Sequence, residues 1–334
     1  MVYECLIGIV YSDVLLSDDY LNDFTRHSLL LAMTVKLTTK EQINSLLDKY
    51  DTFLFDCDGV VWIGNELLPS VKETMELLQQ HDKKLIFVSN NSTKSRNDYI
   101  HKLNNFGIFN INVDQIVNSA YSTATYIEKV LKLSKTDGKK IWVLGQSGIT
   151  DELNNKGYQT MTFDDLTEKF PYDELTMDNI DNLIFKDEIN CVVVGLDFNT
   201  NYLKVGITMQ YLLDNNIPFI ATNIDSTFPF KNTKLPGAGS IVEIVKFASN
   251  REPNAICGKP NNGMMDSILI SNNLQKDKTL MIGDRINTDM KFGFNNQIDT
   301  LLVLTGIETE ERALNEKIIT YYTNKLGDIY DLSK

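Results

Sequence analysis

The run Phe53-Leu54-Phe55-Asp56-Cys57-Asp58-Gly59-Val60 ends an apolar strand in two carboxylates two residues apart. Residues i and i+2 of an extended chain point to the same side, so Asp56 and Asp58 can face one ligand together. The all-apolar triplet before them has the character of a strand buried on both faces, as in parallel sheets covered by helices. Open α/β sheets bind their ligands at the carboxyl ends of their strands. Two acids there suit Mg2+, which prefers carboxylate and water oxygens and is commonly completed by a substrate phosphate. The same residues also fit a surface turn that uses Asp and Gly for their turn preferences. An EF-hand loop would need a third oxygen ligand two positions further on, where Val60 stands.

Three further signals follow, each at the end of a strand-like run. Leu85-Ile86-Phe87-Val88 leads into Ser89-Asn90-Asn91-Ser92-Thr93, a cluster of hydroxyl and amide donors suited to phosphate oxygens. Ile256-Cys257-Gly258-Lys259-Pro260 sets one Lys between Gly and Pro, which fix the backbone around it and can aim its ammonium inward. Thr279-Leu280-Met281-Ile282-Gly283 runs into Asp284, with Asp289 five residues later. Taken singly, these are a polar turn, a solvated lysine and a first-turn helix acid. In the order acid pair, hydroxyl cluster, lysine, acidic pair they make an improbable coincidence.

Alongside those motifs stand DKYDTFLFDCDGV (48–60), NNSTKSR (90–96), GLD (195–197), DSTFP (225–229), PGAGS (236–240), CGKPN (257–261), GDRINTDMKFG (283–293) and LLVLTGIETEERAL (301–314). With them, from about residue 33 to the C-terminus, the chain resembles the haloacid dehalogenase superfamily of phosphotransferases. It is most similar there to the 4-nitrophenylphosphatase and phosphoglycolate phosphatase family in its fungal form. The resemblance implies that Asp56 attacks phosphorus and that Asp58 protonates the leaving alkoxide, then activates the water that cleaves the aspartyl-phosphate. It assigns Mg2+ to a side-chain oxygen of Asp56, the backbone carbonyl of Asp58 and the side chain of Asp284, with Asp289 supporting that shell. Ser89, Asn90 and Asn91 would contact phosphate, and Lys259 would offset charge on phosphate and nucleophile. Four residues of the middle block, Asp197, Asn199, Asn223 and Asp225, are candidates for substrate choice, each equally readable as ordinary turn chemistry. Where relatives acting on phosphoglycolate or pyridoxal phosphate often carry His, this chain has Asn199, which implies broad tolerance and weaker preference for pyridoxal phosphate. The expected substrates are small phosphomonoesters, 4-nitrophenyl phosphate in vitro and 2-phosphoglycolate-like metabolites.

Apolar runs and helical patterns alternate over about 50–132 and again over 251–334, the grammar of βαβ units on a parallel sheet. Between them, 133–250 contains Ile141-Trp142-Val143-Leu144, Cys191-Val192-Val193-Val194 and Phe219-Ile220-Ala221-Thr222, with acidic, irregular 162–188 read as a long loop. None of the four motifs lies in this block. The expected organisation is an N-terminal extension (1–32), a Rossmann-like three-layer core built from 33–132 and 251–334, and an inserted α/β cap (133–250) that closes over the site. The resemblance also allows a homodimer through the cap.

At 334 residues the chain is long enough for two cores. Its net charge of −13 disfavours nucleic acid and anionic membrane as partners, since both need clustered Lys and Arg. Phosphorylated metabolites must then be attracted locally. Cys5, Cys57, Cys191 and Cys257 show no CxxC spacing, and residues before Arg26 include no Lys or Arg, unlike a signal or transit peptide. These features point to a reducing compartment, the cytoplasm, with nuclear entry open. Other chemistries fit poorly. All three histidines, His27, His81 and His101, precede any place an α/β-hydrolase would need one, and neither a GxSxG nor a GxxxxGK[ST] segment occurs. The rival from another class, a non-catalytic binder of phosphometabolites, is disfavoured because Asp56, Asp58, Lys259 and Asp284 are all present.

Overall fold

The computed structural model describes residues 34–230 and 233–334. Seven parallel strands form the larger sheet, in the order Val35–Lys36, Tyr321–Thr323, Asp299–Val303, Thr279–Gly283, Thr52–Phe55, Lys84–Ser89, Ile116–Asn118. From Thr52–Phe55 the chain winds first to one side of the sheet and later returns on the other, so a topological switch point lies beside this strand. Asp56 therefore emerges where a crevice opens.

Side-chain alternation explains why Phe53-Leu54-Phe55 carries no polar residue. Phe53 and Phe55 enter one core with Val71, Met75 and Leu103, while Leu54 enters the other with Ile86, Met264 and Phe292. All three are fully buried, each worth about 1.5–3 kcal/mol of burial.

A second parallel sheet of five strands runs in the order Ala255–Ile256, Phe219–Ala221, Ile189–Val194, Lys140–Leu144, Gln159–Met161. One face packs Trp142, Val192 and Phe219 against Ile207, Tyr211 and Val242; the other packs Ile141, Cys191 and Ile220 against Ile149 and Leu153. The fold is thus α/β, with a large parallel sheet and an inserted second α/β layer. The last strand of the second sheet, Ala255–Ile256, lies past residue 250.

The helix Ser119–Tyr126 serves both sheets: Ala120 and Ala124 pack into the second core, Tyr121 into the first. Three of its buried hydroxyls are satisfied, Thr123 donating to the Ser119 carbonyl (2.8 Å), Ser119 to the Asn90 carbonyl (2.6 Å) and Ser122 to the Gly263 carbonyl (3.0 Å), while the buried Thr125 hydroxyl has no partner.

One reading needs correction, and one element was missed. The segment 162–188 is not one long loop: it contains the helix Phe163–Lys169, started by a Thr162–Asp165 capping box, then the short 3-10 turns Tyr172–Glu174, Met177–Leu183 and Lys186–Glu188. Asp164 and Asp165, which read as part of an irregular acidic stretch, are first-turn acids favoured by the helix dipole. The hairpin Thr227–Phe230 with Thr233–Pro236 was not anticipated, because a Pro in each strand argues against strand structure.

The expected extension, 1–32, lies outside the described residues. Residues Thr34–Lys334 form a compact unit whose core begins at Leu37. A protein starting at Thr34 is expected to melt cooperatively within about 2 °C of the full chain, which corresponds to about 1 kcal/mol for a protein of this size. Insolubility or a much lower midpoint by calorimetry would show that the extension belongs to the fold.

Candidate active site

Three neighbouring strands deliver the candidate groups to one place. The Asp56 N–H donates to the Ile282 carbonyl at 2.8 Å, prolonging the pairing of Thr52–Phe55 with Thr279–Gly283 just far enough to set Asp56 at the sheet's end. Ser89 ends the strand on the other side, and Asp284 follows Gly283. The carboxylates of Asp56, Asp284 and Asp289 offer oxygens that lie within 4.8 Å of one another, and all three residues are buried or nearly so.

Lys259 stands among these acids, with its ammonium 2.7 Å from Asp56 Oδ1, 2.8 Å from Asp289 Oδ1 and 2.8 Å from the Val88 carbonyl. The side chain is 2% exposed. Burial pulls its pKa down, but Asp289 and Asp56 outweigh burial and hold it above the ordinary lysine value, so it stays charged. Asp56 moves the other way. Burial, opposed by Lys259 and reinforced by Asp289 and Asp58, pushes it up to about 7.

One cation does not balance Asp56, Asp284 and Asp289. Asp284 is 4% exposed, and its Oδ1 is buried with no hydrogen-bond partner. Burial, then Asp56 and Asp289, raise its pKa well above the carboxylate range. An orphaned hard oxygen beside two more carboxylates is the donor set a hard divalent cation takes, so the residues fit a metal such as Mg2+. Small neighbours make room for it. A Cβ on Gly59 would stand 2.4 Å from Asp284 Oδ2, and Gly59 also has φ of +92°, a conformation that glycine adopts without strain.

Asp58 is oriented by a residue that sequence reasoning missed. The chain turns back after Asp58 into the hairpin Trp62–Ile63 with Glu66–Leu67, and the buried Trp62 indole Nε1 donates to Asp58 Oδ1 at 2.9 Å. Val61 and Trp62 both donate their N–H to the Cys57 carbonyl, which closes the turn. A Trp four residues after an acid was the available signal.

A cavity of about 60 Å3 opens over Asp56 and Asp58. Ser89, Asn90, Asn91, Lys259 and Asp289 line its floor, and Leu196, Asn223, Asp225, Thr227 and Phe228 line it from the second layer. Ser89 Oγ accepts from the Tyr99 hydroxyl (2.9 Å) and from the Asn91 N–H (3.2 Å), leaving its own proton to donate. Asn91 Oδ1 is occupied by Thr93 in a local turn. The Asn90 amide is also committed: Nδ2 donates to the Lys259 carbonyl (3.0 Å) and to Asp225 (3.1 and 3.2 Å), while Oδ1 accepts from the Lys259 N–H (2.7 Å). Asn90 therefore acts as a clamp on Lys259.

The four candidates for substrate choice separate. Asn223 and Asp225 line this cavity. Asp197 and Asn199 do not: Asp197 forms a buried ion pair with Lys204 at 2.8 Å and accepts from the Asn199 N–H at 2.9 Å. Sequence reading also passed over Arg285, Leu196 and Phe228, which do line the cavity.

Two family models match the chain, haloacid dehalogenase-like hydrolase over 53–159 and HAD-hydrolase-like over 256–329. The 4-nitrophenylphosphatase of Schizosaccharomyces pombe is 40% identical over 301 residues, spanning 89% of this chain and 99% of that protein. Phosphoglycolate phosphatase 2 of Arabidopsis thaliana is 36% identical over 307 residues, spanning 90% and 99%. Among solved structures, the 4-nitrophenylphosphatase of Thermotoga maritima superimposes with a TM-score of 0.71 at 28% identity, covering 86% of this chain and 99% of that one.

If the carboxylate cluster is a cation site, Mg2+ should raise the melting temperature of metal-stripped protein. At 100 times the dissociation constant the gain is about 2.7 kcal/mol. Asp284→Asn should remove most of that gain. A wild-type Mg2+ response in Asp284→Asn, followed by calorimetry, would contradict the assignment.

Proposed function

Because the chain belongs to the haloacid dehalogenase-like hydrolases and is a phosphoric monoester hydrolase, we propose that it is a magnesium-dependent phosphatase of small phosphomonoesters that works through an aspartyl-phosphate on Asp56. The observation that carries this reading is the Asp56 carboxylate at a strand end, held by Lys259 at 2.7 Å and opening with Asp58 into one small cavity.

Asp56 attacks phosphorus, and the ester P–O bond breaks as the leaving oxygen takes a proton from Asp58. The Trp62 indole occupies Asp58 Oδ1, which leaves Oδ2 to carry that proton. A water then gives its proton to Asp58 and bonds to phosphorus, freeing Asp56. Lys259 takes no part in proton transfer, since its partners keep it charged; it offsets the negative charge of nucleophile and phosphate throughout. Ser89 Oγ donates to a phosphate oxygen. Asp56 and Asp284 would hold the Mg2+ ion with the Asp58 backbone carbonyl, supported by Asp289, and when bound it would neutralise charge on the phosphoryl oxygens.

Substrate size supports the same reading. A site of about 60 Å3, against roughly 10–15 Å3 for one water, suits a small ester. We favour 2-phosphoglycolate-like metabolites, in keeping with one relative's name. The division into core and cap at about 133 and 250 belongs to this proposal, with Ala255–Ile256 as a further cap strand. So do a homodimer through the cap and a cytoplasmic location with nuclear entry open. Cys57, Cys191 and Cys257 are free and buried, as a reducing compartment allows, and no helix among the described residues is long and apolar enough to cross a membrane.

Asp56→Asn should abolish Mg2+-dependent hydrolysis of 4-nitrophenyl phosphate, and full activity in that variant would sink the covalent route. Lys259→Ala should lower kcat about 100-fold or more, the usual cost of removing a preorganised charge partner. A rate panel with phosphoglycolate, pyridoxal phosphate, sugar phosphates and a phosphoserine peptide tests the substrate class. Equal activity on the peptide would contradict the small-ester reading.

A further inference from the structure

Two cations line the cavity, Lys259 and Arg285. Lys259 is committed to Asp56, Asp289 and the Val88 carbonyl. Arg285 is different. Its backbone N–H donates to Asp289 Oδ2 at 3.1 Å, which fixes its base on the turn after Gly283. Among the described residues, however, its guanidinium has no carboxylate within ion-pair distance and no hydrogen-bond acceptor. The side chain is half-buried, so five rigidly forked donors are held at the cavity without a partner.

The surroundings say which part of a ligand would reach it. A transferring phosphate already meets Lys259, Ser89 and the carboxylate cluster's metal site. On the cavity's roof Asp225 is tied to the Asn90 amide at 3.1 and 3.2 Å and lies within the field of the Arg285 guanidinium. Arg285 thus lines the same cavity as Asp225, and the phosphatase reading puts the leaving group in the part of that cavity away from Asp56. Beside Asp225, an anionic leaving group could be tolerated only with a cation next to it.

We propose that Arg285 binds a second anionic group of the substrate, a carboxylate one or two carbons from the ester oxygen, and so selects phosphorylated hydroxy acids over phosphomonoesters with neutral tails. The assignment rests on the phosphatase reading of the same cavity. Guanidinium and carboxylate match as a planar bidentate pair. A hydrogen bond to a charged group contributes on the order of 10-fold to 100-fold in binding.

The test is the ratio of kcat/KM for 2-phosphoglycolate to that for sn-glycerol 3-phosphate, in wild type, Arg285→Ala and Arg285→Lys. Both esters present the same phosphate to the same metal site, so the ratio cancels any disturbance of neighbouring Asp284 and any loss of folded protein. Wild type should favour phosphoglycolate, the ratio should fall about 10-fold to 100-fold in Arg285→Ala, and Arg285→Lys should restore part of it. Preference intact in wild type with an unchanged ratio in Arg285→Ala would overturn this role for Arg285 alone. A wild type that hydrolyses both esters without preferring phosphoglycolate would overturn the substrate ranking and this role together.

Discussion

The Lys259 ammonium, sealed between Asp56 and Asp289, is the interaction on which the site depends. Burying a charge costs several kcal/mol unless partners replace its water, and here two carboxylates and the Val88 carbonyl do so. The arrangement is lopsided by design of its neighbours, since Asp284 remains buried beside the pair with an oxygen that nothing satisfies. Taking Lys259 away would leave Asp56 and Asp289 facing each other without a cation. The folded state tolerates that concentration of negative charge because a lysine occupies one side of it and a divalent cation can occupy the other.

Lys259 also joins the two layers mechanically. It follows the edge strand Ala255–Ile256 of the second sheet, yet its ammonium serves a carboxylate of the first. Asn90 locks that crossing by bonding both backbone groups of Lys259 and the Asp225 carboxylate at once. A Cβ on Gly258 would stand 2.8 Å from Asn90 Oδ1 and 2.9 Å from the Thr222 carbonyl, so the approach is close enough to demand a residue without one. Asp225 on the cavity wall and the lysine beside Asp56 are therefore held by the same clamp.

Much of this was legible in the sequence because the core motifs sit at strand ends, where period-two alternation fixes direction. Phe53-Leu54-Phe55 announced a doubly buried strand, and the acids, hydroxyl and lysine beyond the strands fell around one point. What the sequence concealed depends on contacts distant along the chain. Asn90 looks like a phosphate donor until its partners 135 and 169 residues away are known. Asp197 looks like a specificity residue until Lys204 claims it. Trp62 reads as ordinary core although its indole N–H orients Asp58. The hairpin that carries Phe228 was hidden by its prolines, and the acids of 162–188 disguised a capped helix.

The central claim is that Asp56 becomes phosphorylated during turnover. Borohydride reduction of a reaction stopped in mid-turnover converts an acyl phosphate to an alcohol, so peptide mass spectrometry should find homoserine at position 56 only when substrate and Mg2+ are both present. Homoserine absent there under conditions of full turnover, or present instead at Asp58, would contradict the account.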